Sequence, residues 1–352
     1  MLDDFNGFYI CVILLPIVLG MALYYGKIYG YKTIPGFVIL WNIVLTLMLV
    51  STLFAGMETY YRFFVDTTDS YSLNMISARW FKRHFSYNNI GVRDNVIYYP
   101  AKEPSKKHRI TFLGDSFTEG HGVADVEDRF INLIRKDKPE WELQCMARKG
   151  NETNNEIKNL KATIENHFDM EYVVLCYVLN DISYLLPETK VVYDRIDKAY
   201  KKEMGFLDSS SYFMNTMYYR IKGSKDPAIY NYYNFVKKAY FNKKWDEQAE
   251  SLHYFKDLAE SRGGRLLVIT FPLLNTLEKN QEDDAIFNRL DSLWKSLHVP
   301  HLNLTSAYTG YKSSELVVNP YDAHPNEFAH RLAANAMEKF LENEIKKGEE
   351  RP

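Results

Sequence analysis

The sequence has little cysteine and no excess of basic residues. Cysteine occurs three times in 352 residues, at Cys11, Cys145 and Cys176, and these positions match no zinc or Cys-x-x-Cys spacing. Lys and Arg number 43 against 45 Asp and Glu, which gives a formal net charge of −2. A nucleic-acid-binding domain usually carries a clear basic excess. The composition therefore excludes a framework that pairs every cysteine and argues against a nucleic-acid partner.

Long uncharged apolar runs stand at the N-terminus, at Gly7–Gly26 and at residues 35–57. Each run is long enough to cross a hydrocarbon core of about 30 Å as a helix, and the short link between them favours a transmembrane helical hairpin. The link carries Lys27 and Lys32, whereas only Arg62 follows the second run closely. Because short cytoplasmic loops are enriched in Lys and Arg, we expect a cytoplasmic link and both termini outside. The alternative is a hairpin buried in a protein core.

The rest of the chain alternates strand-like and helix-like runs. Strands are predicted at residues 109–114, 141–147, 172–179, 265–271 and 299–304. Helices are predicted at residues 126–137, 154–167, 243–261, 283–297 and 326–347. This order is typical of an α/β domain with a doubly wound, mostly parallel five-stranded sheet. In such a domain, ligands bind beyond the carboxyl ends of the strands.

We expect three regions along the chain. Residues 1–63 hold the two transmembrane helices, residues 64–108 form a connecting segment, and residues 109–348 form the α/β domain. A Tyr- and Lys-rich stretch at residues 183–238 interrupts the alternation and is too long for a simple loop. We expect a small helical insertion there. It serves either as a lid or a surface for sugar or lipid head groups, or as a flap that only packs its aromatic side chains.

Four short motifs follow the predicted strands. Ser116 in GDSFTEG comes directly after the first strand, where an exposed hydroxyl can act as a nucleophile once a base removes its proton. His324 in YDAHPNEFAH is the candidate base, and Asp322 is the candidate acid that orients its imidazole. Gly150 follows the second strand and Asn180 ends the third. With the Ser116 N–H, the Gly150 N–H and the Asn180 side chain supply three donors for an oxyanion.

Other polar residues near these motifs have simpler expected roles. Asp115 is expected to support the turn around Ser116. His121, in EGHGV, either lies near the site or is a surface loop histidine, and the second alternative is favoured. Cys145 and Cys176 fall within predicted strands, so we expect buried thiols. In the usual 2-1-3 strand order the first strand separates them, and no disulfide is expected.

The order of the four motifs resembles that of the SGNH (GDSL-type) hydrolase superfamily, named for Ser, Gly, Asn and His in four blocks. GDSFTEG matches the first block, RKGNE the second, VLND the third and DAHPN the last. Val178 stands where the family usually has glycine, and Tyr321 stands where it usually has the aspartate. Either Asp322 supplies the acid of a triad, or it has no such role and Ser116 and His324 act as a dyad. The resemblance covers residues 88–345, and NNIGVRD (88–94) is similar to the lead-in of membrane-anchored relatives.

The resemblance implies a flavodoxin-like fold and an ester-directed enzyme that needs no metal or other cofactor. In such an enzyme Ser116 attacks an acyl carbonyl and His324 takes its proton. The Ser116 N–H, the Gly150 N–H and Asn180 then hold the tetrahedral oxyanion.

Three functions stay open at this point. The first is a membrane-anchored serine esterase or deacylase on the extracytoplasmic side, periplasmic or extracellular, acting on acyl esters (acetyl among them) of an envelope glycan or lipid. The second is an O-acyltransferase in polysaccharide acetylation, with the same residues and a multispanning membrane acyltransferase as partner. The third is a catalytically silent envelope scaffold or glycan-binding protein.

Overall fold

The computed structural model describes residues 5–30, 36–189, 192, 196–279 and 281–350. These residues form two compact units. The first unit contains the chain up to Thr67, residues 72–80 and residues 196–225. The second contains residues 68–71, 81–195 and 226 onward. The chain therefore passes between the units several times.

Helices outnumber strands along the described chain. The helices are α1 (Gly7–Tyr25), α2 (Phe37–Phe63), α3 (Met75–His84), α4 (Ser116–Glu119), α5 (Phe130–Asp137), α6 (Thr153–Glu165), α7 (Lys201–Glu203), α8 (Phe206–Ser210), α9 (Tyr212–Lys225), α10 (Pro227–Tyr230), α11 (Tyr232–Ala239), α12 (Lys244–Glu260), α13 (Gln281–Ser296), α14 (Ser313–Leu316) and α15 (Glu327–Glu349). The strands are β1 (His108–Gly114), β2 (Trp141–Cys145), β3 (Tyr172–Val178), β4 (Arg265–Phe271), β5 (His301–Asn303), β6 (Val317–Asn319) and β7 (Asp322–Pro325).

The helices α1 and α2 dominate the first unit and pack against each other. Asn6 caps α1, since its side chain accepts a hydrogen bond from the Tyr9 N–H at 3.0 Å. Both helices are long and apolar enough to cross a membrane, and only 11% and 6% of their most apolar windows are buried within the chain. That exposure argues against a hairpin buried in a protein core. The second helix also continues beyond Met57, where the uncharged run ends, to Phe63.

A five-stranded parallel sheet forms the centre of the second unit. Its strand order is β2-β1-β3-β4-β5, which is the flavodoxin-like order of a doubly wound fold. The predicted fold class is confirmed. All seven residues of β3 are buried, which explains its uninterrupted apolar sequence, because strands covered on both faces have no polar side. The thiols of Cys145 and Cys176 are free and buried, on the two strands that flank β1.

One predicted helix, at residues 126–137, is interrupted near its start. Val126–Asp128 form a 3₁₀ turn and α5 follows, because Arg129 between them is extended, at φ −73° and ψ 142°. The Arg129 guanidinium is buried and donates to Asp94 at 3.0 Å and to the Arg93 carbonyl at 2.8 Å. These tertiary contacts hold the backbone out of the helical conformation.

A two-stranded antiparallel sheet of β6 and β7 lies ahead of the last helix and was not predicted. His324 therefore lies in a strand. Pro325 ends β7, and Asn326 caps α15, since its side chain accepts from the Ala329 N–H at 2.9 Å. Strands of three and four residues are too short to show a hydrophobic alternation in the sequence.

The described residues of the insertion at 183–238 are mainly helical, as expected. Ile196–Lys225, which contains α7 to α9, belongs to the first unit, and the flanking residues belong to the second. Residues 190, 191 and 193–195 lie outside the described part of the chain.

Candidate active site

Ser116 is the first residue of the short helix α4, directly after β1. Asp115 caps this helix, since its carboxylate accepts a hydrogen bond from the Phe117 N–H at 2.9 Å. The expected supporting role of Asp115 is confirmed. Gly114 is needed for the turn, because a Cβ there would lie 2.9 Å from the Cys176 carbonyl oxygen and closer still to the Thr118 hydroxyl.

Ser116, His324 and Asp322 form a hydrogen-bonded chain. The Ser116 Oγ lies 2.8 Å from His324 Nε2, and His324 Nδ1 lies 2.5 Å from Asp322 Oδ1. Both partners come from β7, in which residues two positions apart point to the same face. A D-x-H spacing on a strand thus brings the carboxylate to the imidazole, and the structure favours a triad over a Ser–His dyad.

The Asp322 carboxylate is buried and accepts four hydrogen bonds. Its Oδ1 accepts from the His324 backbone N–H at 3.1 Å and from the His324 ring. Its Oδ2 accepts from the Thr68 hydroxyl and, at 3.2 Å, from His121 Nε2. Burial alone would raise its pKa, but His324, His121 and their hydrogen bonds hold the pKa of Asp322 well below its usual range. The carboxylate is therefore ionised at neutral pH.

His121 is part of this site, so the expectation of a surface loop histidine is wrong. Its side chain is 2% exposed, and its ring stacks on that of His324 with centroids 3.8 Å apart. Its Nε2 lies 3.1 Å from the Asp69 carbonyl oxygen. Because a carbonyl only accepts, the Nε2 carries the proton. Burial and then the nearby His324 lower the pKa of His121, which keeps it neutral.

The segment Thr68–Tyr71, shortly after α2, contributes to the same site. The Ser70 N–H donates to the Tyr321 carbonyl at 3.1 Å, and the Ser70 hydroxyl accepts from the Ala323 N–H at 3.0 Å. With the Thr68 hydroxyl on Asp322, these bonds hold the β7 strand that carries the acid and base. Sequence reasoning missed Thr68 and Ser70, since a run of hydroxyl residues has no spacing that indicates a site.

The turn that carries Gly150 is anchored beside the turn of the nucleophile. The Lys149 N–H donates to the Glu119 carboxylate at 2.8 Å, and the Asn151 side chain donates to the Gly114 carbonyl at 3.1 Å. Gly150 itself is exposed at φ 75°, a conformation that favours glycine. The structure thus brings the second motif next to the first. The contribution of the Gly150 N–H to an oxyanion hole stays a prediction.

Asn180 lies in the 3₁₀ turn after β3, and its side chain lies close enough to the carboxyl group of Asp115 to lower the pKa of that group. Burial raises the pKa of Asp115 to about 6, against the lowering effects of the Phe117 N–H, His324 and Asn180. The role of Asn180 as an oxyanion donor also stays a prediction.

Two further carboxyl groups, those of Glu156 and Asp181, are fully buried near Asp115. Burial raises the pKa of each well above its usual range, and the neighbouring carboxyl groups add to the effect. Burial therefore favours the protonated form of both groups.

Arg93, in the NNIGVRD motif, supports the loop that carries His121. Its buried guanidinium donates to the Val123 carbonyl at 2.6 Å and to the Gly120 carbonyl. The motif was predicted only as a lead-in, and its sequence gave no indication of this role. Arg93 thus fixes both ends of the loop at residues 120–123, and His121 in this loop contacts Asp322.

The triad region does not suit a metal ion. Among the described residues, His121, Asp322 and His324 have potential metal-ligand atoms within 4.8 Å of one another. The two imidazole planes are nearly parallel, at 12°. Ring nitrogens bind metals in the ring plane at about 2.0–2.1 Å, so two stacked rings cannot both direct a lone pair at one ion.

No family model and no curated protein matches this chain. Several solved structures are similar in fold. A psychrotrophic esterase, EstA, from Pseudoalteromonas sp. has 11% identity and a TM-score of 0.44, over 68% of this chain and 98% of that one. A member of the lipolytic protein G-D-S-L family from Veillonella parvula has 12% identity and a TM-score of 0.40, over 65% and 95%. A salicylyl-acyltransferase, SsfX3, from a tetracycline biosynthetic pathway has 12% identity and a TM-score of 0.39, over 69% and 57%. A likeness at this level carries no inference about activity, which rests on the geometry of the site.

Proposed function

We propose that this chain is a membrane-anchored serine esterase or deacylase of the SGNH type. The observation that carries the proposal is the chain of hydrogen bonds from Ser116 Oγ through His324 to Asp322, at 2.8 Å and 2.5 Å. A hydroxyl next to an imidazole that a buried carboxylate orients is the arrangement that activates serine for acyl transfer.

The reaction begins with attack of Ser116 Oγ on the carbonyl carbon of an ester, while His324 Nε2 accepts the hydroxyl proton. Asp322 holds Nδ1–H and stabilises the imidazolium that forms. Collapse of the tetrahedral intermediate breaks the ester C–O bond, and His324 returns the proton to the leaving alkoxide. Water then attacks the acyl-enzyme by the same proton route, which releases the acid and restores Ser116.

The oxyanion of the intermediate would accept hydrogen bonds from the Ser116 N–H, the Gly150 N–H and the Asn180 amide. An amide group has two N–H donors, so Asn180 can donate to the substrate even with one N–H directed to Asp115. Each such donor is worth about 10²- to 10³-fold in kcat in other serine hydrolases.

The proposed substrate is an acyl ester of an envelope glycan or lipid on the extracytoplasmic side of a membrane. Two exposed apolar helices of spanning length support the anchor, and Lys27 and Lys32 in their link support a cytoplasmic link. An acyltransferase uses the same acyl-enzyme and differs only in the acceptor. The assembled triad speaks against a catalytically silent scaffold.

Hydrolysis of p-nitrophenyl acetate by the full chain in mild detergent tests the proposal. Ser116→Ala and His324→Ala should each lower kcat/KM by about a hundredfold or more. The exposed residues Ser292 and His253 provide matched controls, and Ser292→Ala and His253→Ala should retain activity. A wild-type rate equal to that of Ser116→Ala would contradict hydrolysis.

If no hydrolysis is detected, covalent labelling distinguishes an acyltransferase from a catalytically silent scaffold. Diethyl p-nitrophenyl phosphate should release p-nitrophenol and leave a diethylphosphoryl group on Ser116, detectable by mass spectrometry. Labelling without hydrolysis supports an acyltransferase, and product analysis with sugar acceptors then identifies it. The absence of both labelling and hydrolysis would favour the scaffold.

A further inference from the structure

The end of α2 carries a buried ion pair within an otherwise uncharged helix. Glu58 and Arg62 are 0% exposed and lie 2.8 Å apart, one turn from each other. Burying a charge in or near a bilayer is costly unless it is paired and hydrogen-bonded.

The Glu58 carboxylate binds the start of α9 in the insertion. It accepts from the Ser211 hydroxyl at 2.5 Å and from the N–H groups of Tyr212 and Phe213, each at 3.1 Å. The first N–H groups of a helix have no partner within that helix. Glu58 supplies that partner, so one helix of the hairpin caps a helix of the insertion.

Arg62 completes the attachment. It donates to the Ser210 carbonyl at 3.2 Å and lies over the rings of Tyr9 and Tyr212, at 5.0 Å and 4.8 Å from their centroids. Arg62 thereby links the first turn of α1 and the end of α2 to the start of α9.

Aromatic contacts give the depth to which the insertion reaches along the hairpin. The ring of Phe213 lies 6.2 Å from that of Phe54 and 5.4 Å from that of Tyr61. Phe54 belongs to the uncharged run and precedes Glu58 by one helical turn, about 6 Å along the axis. The ring of Phe206 lies 5.9 Å from that of Phe8, in the first turn of α1. The insertion therefore reaches the apolar part of both helices.

Large apolar side chains at this end of the hairpin are exposed in the described chain. Phe206 is 73% exposed, Leu207 48%, Phe5 57% and Phe64 73%. Removing apolar side chains from water is favourable, so water is an unfavourable neighbour for all four. Aromatic residues are enriched where a bilayer meets water.

We infer that the insertion is a membrane-interface element. Glu58 and Arg62 fix its helices α8 and α9 to the end of the hairpin. Phe206 and Leu207 of α8 then lie at the boundary between head groups and acyl chains. The surface formed by Phe5, Phe64, Phe206 and Leu207 contacts lipid, because it is continuous with the two apolar helices. The inference rests on the proposed membrane anchor and adds a second contact with the bilayer, beside the hairpin.

Nitroxide labelling of the full chain in vesicles of equimolar phosphatidylcholine and phosphatidylglycerol tests this inference. The exposed Cys11 is first changed to Ser, and single cysteines are introduced by Phe206→Cys, Tyr230→Cys and Leu15→Cys. Tyr230 is 76% exposed and belongs to the second unit, whereas Leu15 is 51% exposed within α1. Collision rates with oxygen, which enters lipid, and with a water-soluble nickel chelate give the depth of each label.

The label at 206 should show an oxygen-to-nickel collision ratio several-fold above that at 230, and below that at 15. A water-like ratio at 206 with a lipid-like ratio at 15 would overturn the inference and leave the anchor intact. A water-like ratio at 15 as well would overturn the anchor itself. An immobile label at 206 that neither reagent reaches would indicate a protein partner and also overturn the inference.

Discussion

The ring of His121 stacks on the ring of His324, with centroids 3.8 Å apart and planes at 12°. At this distance a second positive charge would oppose the imidazolium that forms on His324 during catalysis. His121 avoids this by staying neutral, since burial and then His324 lower its pKa. Its single N–H points to the Asp69 carbonyl oxygen and to Asp322. In the proposed mechanism, His121 is thus a positioning residue for Asp322 and not the general base.

Two variants of His121 test the contributions of its aromatic ring and of its N–H donor separately. His121→Phe keeps an aromatic ring over His324 but removes the donor to Asp322, and kcat should fall about tenfold or more while KM changes little, because a hydrogen bond to a charged group is worth about 1.5–3 kcal/mol. His121→Gln keeps an N–H near the Nε2 position and should restore part of kcat. Steady-state kinetics on an activated ester measure both. Equal kcat in the wild type and His121→Phe would show that the donor is dispensable.

Replacement of the acid should be severe. Asp322→Asn puts an amide N–H where His324 Nδ1–H needs an acceptor, or forces the wrong tautomer, and kcat should fall by about 10⁴-fold. Asp291→Asn is the matched control, since Asp291 makes the same 2.5 Å contact with the ring of His301, away from Ser116. Retention of most activity in Asp322→Asn would mean that a Ser116–His324 dyad suffices.

The hydroxyl of Thr68 should matter for the same reason. Thr68→Val keeps the shape of the side chain but removes the donor to Asp322 Oδ2, so kcat should fall about tenfold. Thr68→Ser retains the hydroxyl and should keep most of the rate. If valine and serine at this position give the same kcat, the contact has no catalytic value.

The proton on Glu156 should make stability depend on pH. Burial, followed by the charges of Asp115 and Glu152, raises the pKa of Glu156 well above its usual range. The folded chain therefore keeps a proton that the unfolded chain loses above about pH 4.5. Stability should be highest below that pH and fall as the pH rises towards the folded pKa, by up to about 1.4 kcal/mol per pH unit for one proton.

Glu156→Gln carries no titrating proton at this position and should flatten that dependence. Thermal unfolding midpoints of the full chain in mild detergent, measured from pH 5 to pH 8, should decline less for this variant than for the wild type. Glu247→Gln, at an exposed position, should decline like the wild type. Parallel declines for Glu156→Gln and the wild type would show that Glu156 does not hold a proton.

The architecture of the sheet was largely decided by local sequence. The apolar runs of β1, β3 and β4 and the helical patterns between them predict the parallel sheet, because strands covered on both faces need apolar residues throughout. Ser116 and His324 were identified as well, since each lies in a short motif next to a strand or helix end. Most element ends agree with the prediction to within a few residues.

The acid and its supports were decided by the tertiary structure. The spacing of Asp322 and His324 left a triad and a dyad open, and the strand β7 decided for the triad by turning both side chains to one face. Thr68 lies 254 positions before Asp322 in the chain, and His121 stacks on a ring from the other end of the domain. No local pattern records such pairs, because a side chain that binds a distant partner follows no period in its own segment. The sequence by itself thus determined the sheet and the candidate residues Ser116 and His324, while only the folded chain brought Thr68 and His121 to the Asp322 carboxylate beside His324.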